Sequence, residues 1–173
     1  MYQPEILHSI EQSAFSIWLR ETDSIFGFYF VLMCHTIGMV FLVGPSAAID
    51  LRILGVAQDL PLAPMKKFYN LMYLGFVINV ISGTMLLVAY PTKAVTNPDF
   101  YFKLTLIGIG MWILQKMKVQ VFGDGSMTDT ARMAQGVGLA KASLLVWVAV
   151  ITAGRLLAYT YTYLLFHSYA PGG

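Results

Sequence analysis

The chain has 173 residues, of which 57% are hydrophobic and only 12% are charged. This composition is too apolar and too weakly charged for an ordinary soluble domain, and it predicts a single all-α integral membrane domain over residues 1–173. The formal net charge of +2 comes from basic residues concentrated in loops. There they bear on orientation in a bilayer, so nucleic-acid binding has no support.

The first predicted element is an amphipathic helix over residues 4–20. Its apolar side chains recur at helical spacing opposite a polar face. They are Leu7, Ile10, Ala14, Ile17 and Trp18. A helix of this kind lies either at the membrane interface or on the surface of its own bundle.

Four apolar segments follow, at residues 24–54, 68–90, 100–122 and 139–163. Each is long enough to cross the roughly 30 Å hydrocarbon layer at about 1.5 Å of rise per residue. The sequence therefore predicts a four-helix membrane bundle preceded by an interfacial amphipathic helix. Lys103 and Lys116 shorten the uncharged part of the third segment, and their stems are expected to snorkel toward opposite faces.

The lysines and arginines are divided unequally between the two sides of this bundle. Seven fall on the side of the first and third loops, namely Arg52, Lys66, Lys67, Lys116, Lys118, Arg132 and Lys141. Four fall on the other side, namely Arg20, Lys93, Lys103 and Arg155. The excess of positive charge on cytoplasmic loops predicts a bacterial inner-membrane protein with both termini in the periplasm.

His35 is the strongest functional lead, because it lies in an uncharged run at residues 24–49. An imidazole at that depth needs a polar partner, a metal or a cofactor. His35 and Lys103 lie about 15 Å and about 6 Å below the outer ends of helices that run in the same direction. Asn79, at comparable depth, is expected to hydrogen-bond the imidazole and fix its tautomer. Arg155 adds a further cation in the outer leaflet.

These residues predict a pocket for a planar anionic cofactor. In this interpretation His35 binds the metal of haem b, with Lys103 or Arg155 on the propionates. The alternative is a non-catalytic scaffold or accessory subunit, in which His35 and Asn79 only link helices and the cations snorkel. A copper site on His35 and Met39, which share a helix face, is a further alternative. Whether the protein is an enzyme does not follow from these residues.

Asp50 is the acidic residue closest to the membrane interior in the first long segment. Proton-coupled transporters depend on such carboxylates inside the bilayer. Because Asp50 lies near the end of its helix and close to Arg52, the pattern predicts a terminal ion pair instead.

Several distinct short motifs are spread along almost the whole chain. They are WLRE at residues 18–21, HTIG at 35–38, DLRILG at 50–55, NPDF at 97–100 and AGRLLAY at 153–159. Together they resemble a family of small bacterial multi-pass membrane proteins of unknown function.

More distantly, His35 followed by Gly38, with Lys103 and Leu104 opening the third segment, is similar to the copper-resistance D proteins and the small membrane protoporphyrinogen oxidases. In the oxidases, a histidine of the first helix and a lysine of the third are implicated in haem binding. The resemblance implies these roles for His35 and Lys103, although the further histidines of those enzymes near the third helix are missing here. It implies electron transfer or the anchoring of a redox partner. The expected partners are the lipid bilayer and either a membrane redox protein or a second copy of the chain.

Overall fold

The computed structural model describes residues 5–22 and 24–169, with side chains described up to residue 157. Over these ranges the chain forms helices and no strand, which confirms the all-α prediction. The helices are α1 (Glu5–Glu11), α2 (Ala14–Glu21), α3 (Phe28–Ile53), a 3-10 helix (Ala63–Lys67), α4 (Phe68–Ala89), α5 (Pro91–Val95), α6 (Pro98–Phe122) and α7 (Asp129–Tyr169). Three stretches are long and apolar enough to cross a membrane: Phe28–Ile53, Ala63–Ala89 and Asp129–Leu157.

Helix α6 is not among these three stretches, although it has 25 residues. Asp99, Lys103, Lys116 and Lys118 lower its hydropathy. It nevertheless packs extensively along α7, with Trp147 of α7 lying against Gly110. Four long helices therefore form the body of the molecule.

Neighbouring long helices run antiparallel, as the order of their contacts shows. The contacts are His35 with Ser82 and Gly38 with Gly75 between α3 and α4, Ser46 with Ser143 and Ile53 with Gly136 between α3 and α7, and Lys103 with Gly154 and Val121 with Gly136 between α6 and α7. Helices α3 and α6 therefore run in the same direction, as the sequence predicts.

The apolar core lies toward the end of the molecule where loops 54–62 and 123–128 join the helices. All four long helices contribute to it. Its fully buried members include Ile49, Ile53, Leu62, Tyr69, Met72, Val121, Phe122 and Val150. We call this the core end, and the opposite end the cavity end.

Two buried arginines hold the loops at the core end. The guanidinium of Arg132 donates to the backbone carbonyl oxygens of Val121, Asp124 and Met127 at 2.7 Å, 2.9 Å and 3.1 Å. A cation stabilises the carboxyl end of a helix, here that of α6, because the last carbonyl groups lack intrahelical partners.

The predicted ion pair between Asp50 and Arg52 is wrong. Arg52 donates to the carbonyl oxygens of Leu60 and Gln58, and its Nη2 lies 3.8 Å from Oδ2 of Asp129. Residues two apart on a helix do not face each other, so the arginine reaches the loop while Asp50 points into the core.

The predicted amphipathic helix over residues 4–20 is divided into α1 and α2. The break falls at Ser13, whose hydroxyl accepts a hydrogen bond from the Ser16 backbone N–H and caps α2. Ser16 then donates to the carbonyl of Val88 at 2.9 Å, and Arg20 donates to that of Ala89 at 3.2 Å. Helix α2 thus satisfies two of the last carbonyl groups of α4.

Helix α7 begins at Asp129 rather than near residue 139. The Thr128 hydroxyl accepts from the Ala131 backbone N–H at 3.4 Å, as a helix cap does. Residues 129–138, which precede the fourth predicted segment, are therefore the first part of α7.

Candidate functional site

Two glycines allow α3 and α4 to approach closely. A Cβ atom on Gly75 would lie 2.7 Å from the Gly38 carbonyl oxygen and 2.7 Å from the Leu42 backbone nitrogen. A Cβ atom on Gly38 would lie 2.6 Å from Nδ2 of Asn79. Any side chain at either position would force the backbones apart. The close approach brings His35, one turn farther toward the cavity end, within reach of α4.

The imidazole of His35 is anchored by Ser82. His35 Nδ1 lies 2.9 Å from Ser82 Oγ, and the Ser82 hydroxyl lies 2.6 Å from the Ile78 carbonyl oxygen. A hydroxyl has one hydrogen to donate, and the carbonyl can only accept it. The Ser82 oxygen therefore accepts from His35 Nδ1–H, so the ring proton is on Nδ1 and Nε2 keeps its lone pair.

A glycine makes room for the anchored ring. A Cβ atom on Gly83 would lie 3.3 Å from Cε1 of His35. The imidazole thus lies close to the α4 backbone and is held there at one nitrogen.

Asn79 lies beside His35 but does not bind its imidazole through the amide. Its Nδ2 donates to the Gly75 carbonyl oxygen at 3.0 Å, and its buried Oδ1 has no hydrogen-bond partner in the described part of the chain. The side-chain partner of the imidazole is instead Ser82, one helical turn away, and Asn79 interacts with the ring only through its backbone. Asn79 Oδ1 is left as an unused acceptor.

Lys103 reaches the same region from α6. Its Nζ lies 3.5 Å from the position that a Cβ atom would take on Gly154 of α7, so this glycine makes space for the ammonium. Among the residues whose side chains are described, none forms an ion pair or hydrogen bond with this ammonium. Lys103 is close enough to His35 to act on it electrostatically.

A cavity of about 620 Å³ opens among α3, α4, α6 and α7 at the cavity end. His35, Asn79 and Lys103 all line it, so the structure brings together three of the four predicted site residues. Its volume falls within the range of roughly 300–1,000 Å³ typical of small-molecule sites.

The rest of the cavity wall is mainly apolar and aromatic. Its aromatic members are Phe28, Phe76, Tyr90, Phe100 and Trp147. The described lining contains two lysines, Lys93 and Lys103, and no carboxylate. A flat apolar ligand that carries negative charge matches this wall best.

Arg155, the fourth predicted site residue, is exposed and does not belong to the described lining of the cavity. Its neighbour Gly154 does line the cavity. A role of Arg155 in cofactor binding stays a prediction.

The two candidate copper ligands, His35 and Met39, lie in the same cavity. Met39 lines the cavity together with His35, as their spacing of four residues predicts. Among the described residues, no group of three or more His, Cys, Asp or Glu side chains lies close enough together to hold a metal ion.

The fold and the site thus define a helical protein with three helices fit to cross a bilayer and a cavity that combines an anchored imidazole with a lysine. Comparison with protein-family models, with curated proteins and with solved structures finds no match.

Proposed function

We propose that the protein is a four-helix integral protein of a bacterial inner membrane, with α6 as the fourth crossing helix. The charged side chains of α6 support this, because the two lysines that border its uncharged centre both have a local interaction. Lys103 points into the cavity, and Nζ of Lys116 lies 4.3 Å from the ring centroid of Trp112. Helices α1 and α2 then lie at the outer interface. The motif resemblance supports membership of the family of small multi-pass membrane proteins.

We further propose that the cavity binds a haem-type cofactor through His35. The observation that carries this proposal is the hydrogen bond from His35 Nδ1–H to Ser82. Metal-binding histidines usually donate their second ring nitrogen in this way, which fixes the tautomer and orients the ring. A single histidine is enough to hold a haem group in known proteins, so His35 alone would hold it here.

The other lining residues fit the same cofactor. Lys103 brings an ammonium that has no ion-pair partner among the described side chains, and it would bind a propionate carboxylate. Asn79 Oδ1 is a buried acceptor that a polar group in the cavity would satisfy, and burial without a partner is otherwise costly. The aromatic walls would exclude water from a bound cofactor.

Bound haem supplies one-electron redox chemistry. The chain's own part is to hold the iron ligand rigid through Ser82, to compensate anionic charge with Lys103 and to keep the site dry. The function we propose is electron transfer within the membrane or the anchoring of a redox partner.

A second candidate is a subunit that binds no cofactor. The same hydrogen bond favours it, because Ser82 satisfies one nitrogen of His35 and links α3 to α4 as polar residues do in membrane bundles. The two candidates make different predictions for His35 Nε2 and for Lys103, because only a bound ligand would contact these two groups.

An absorbance spectrum of the purified protein separates the two candidates. After expression with ample haem and mild purification, we expect a Soret band that shifts on reduction. Protein that stays free of Soret absorbance, even after reconstitution with added haem, would rule out the haem proposal and leave the second candidate.

The orientation in the membrane gives a separate prediction. The seven basic residues counted above gather at the core end, so we expect loop 123–128 in the cytoplasm and both termini outside. Reporter fusions at Gly125 and, as a matched position at the other end, at Thr96 test this. A cytoplasm-active reporter should work only at Gly125. Activity of a periplasmic reporter at Gly125 would contradict the orientation.

A further inference from the structure

A second polar cluster lies inside the core end, away from the cavity lysine. Asp50 is fully buried, at 0% exposure, and Ser46 precedes it by one helical turn on α3. Ser143 and Trp147, also one turn apart, face them from α7. Trp147 Nε1 donates to Ser46 Oγ at 3.2 Å, and the two serine hydroxyls lie 3.4 Å apart.

The Asp50 carboxylate has no compensating partner among the described residues. The hydroxyls of Ser143 and Ser46 lie beside it, yet neither of its oxygens has a hydrogen-bond partner in the described part of the chain. Arg52, the nearest cation in sequence, is turned to loop 54–62 and Asp129. A buried carboxylate without a partner is strongly disfavoured, so something must neutralise it.

The groups that face Asp50 from the neighbouring helices do not neutralise it. On α4, the phenol of Tyr69 is close enough to interact with Asp50 electrostatically. On α6, Nζ of Lys118 lies over the rings of Tyr69 and Tyr73, at 5.7 Å and 4.8 Å, and its hydrogen bond goes to the Tyr73 hydroxyl. On α7, Lys141 is exposed.

We propose that Asp50, Ser46 and Ser143 form a binding site for one small monovalent cation, a proton or a sodium ion. Both ions meet the same need, since each neutralises the carboxylate and interacts with hydroxyl oxygens. A proton turns Asp50 into a carboxylic acid that donates to a serine oxygen. A sodium ion is held by the carboxylate and the two serine oxygens together.

Trp147 lies between α3 and α7 beside this site. Its ring lines the cavity while its N–H donates to Ser46, so this side chain contacts both the cation site and the cavity. The cation site stands without the haem proposal, because none of its groups contacts His35 or Lys103 in the described contacts.

Infrared spectroscopy of the purified protein in lipid nanodiscs tests the site. In sodium-free buffer at neutral pH, we expect the carbonyl stretch of a protonated carboxylic acid, and Asp50→Asn should remove it. Asp59→Asn, which changes an exposed loop carboxylate, should leave the band unchanged. If saturating sodium chloride, compared with choline chloride, replaces the acid band by a carboxylate band, the occupant is sodium. An acid band that is insensitive to sodium identifies a proton.

The proposal is overturned if wild-type protein shows no acid band in sodium-free buffer and no spectral response to sodium. Asparagine has nearly the shape of a neutral aspartic acid, so we also expect Asp50→Asn to keep the thermal midpoint of the wild type. If Asp50→Asn does not fold, Ser143→Ala assigns the band instead, because loss of a neighbouring oxygen must shift it. A band that Ser143→Ala leaves unshifted would then count against the site.

Discussion

Replacement of His35 by alanine is expected to abolish the Soret absorbance of the purified protein while its helices remain folded. His35 is the only histidine that lines the cavity in the described part of the chain, so its removal takes away the proposed strong iron ligand. The fold should persist, because interhelical hydrogen bonds in bilayers average only about 0.6 kcal/mol. The ratio of Soret to protein absorbance measures retention, and circular dichroism measures helix content.

Two further variants make this result specific. His8→Ala removes an exposed imidazole from α1 and should retain the cofactor fully. Ser82→Ala keeps His35 but frees its Nδ1, and loss of such an outer partner typically lowers metal affinity by about 10- to 100-fold. Retention of an unchanged Soret band in His35→Ala would show that His35 is not the ligand.

Much of the cavity could be predicted from the sequence because it depends on depth along helices. Helix rise and alternating direction alone place His35, Asn79 and Lys103 at the same end, and the three residues line a single cavity. Depth is a one-dimensional property that spacing in the sequence determines. The residues meet because the directions of four helices follow from three short connections.

Ser82 could not be found in the same way. Its contact with His35 depends on the rotation of α4 about its own axis, which the Gly38 and Gly75 crossing determines. The sequence contains a weak indication of this contact, since Ser82 and Gly83 follow Asn79 by about one turn and so lie near the same helix face. Depth alone, however, favours Asn79 and Ser82 almost equally as the histidine's partner.

Asp50 shows how adjacency in sequence misleads. A carboxylate two residues from an arginine suggests an ion pair, but the helix directs the two side chains apart. The partner of Arg52, Asp129, lies at the start of another helix, and only the antiparallel packing of α3 with α7 brings it near.

The division between α1 and α2 could not be predicted either. It depends on whether Ser13 caps a new helix, which its exposed neighbours do not reveal.

Replacement of Gly75 by alanine should give the largest loss of stability among single glycine substitutions in α3 and α4. The added Cβ would meet backbone atoms of Gly38 and Leu42 at 2.7 Å, and a backbone cannot move aside as a side-chain end can. Overpacking of this kind typically costs about 1–3 kcal/mol. A separation of α3 from α4 would also stretch the bond between His35 and Ser82, so cofactor content should fall together with the unfolding midpoint in detergent.

Gly44→Ala in α3 and Gly108→Ala in α6 provide matched controls for the Gly75 substitution. A Cβ atom at either position meets no atom within 4 Å. Alanine is more favourable than glycine inside a helix by roughly 0.5–1 kcal/mol, so both control variants should be as stable as the wild type or slightly more stable. The opposite signs of the two effects make the comparison decisive. If Gly75→Ala unfolds at the same midpoint as Gly108→Ala, α3 and α4 do not approach closely at Gly75, and the anchoring of His35 by Ser82 loses its structural basis.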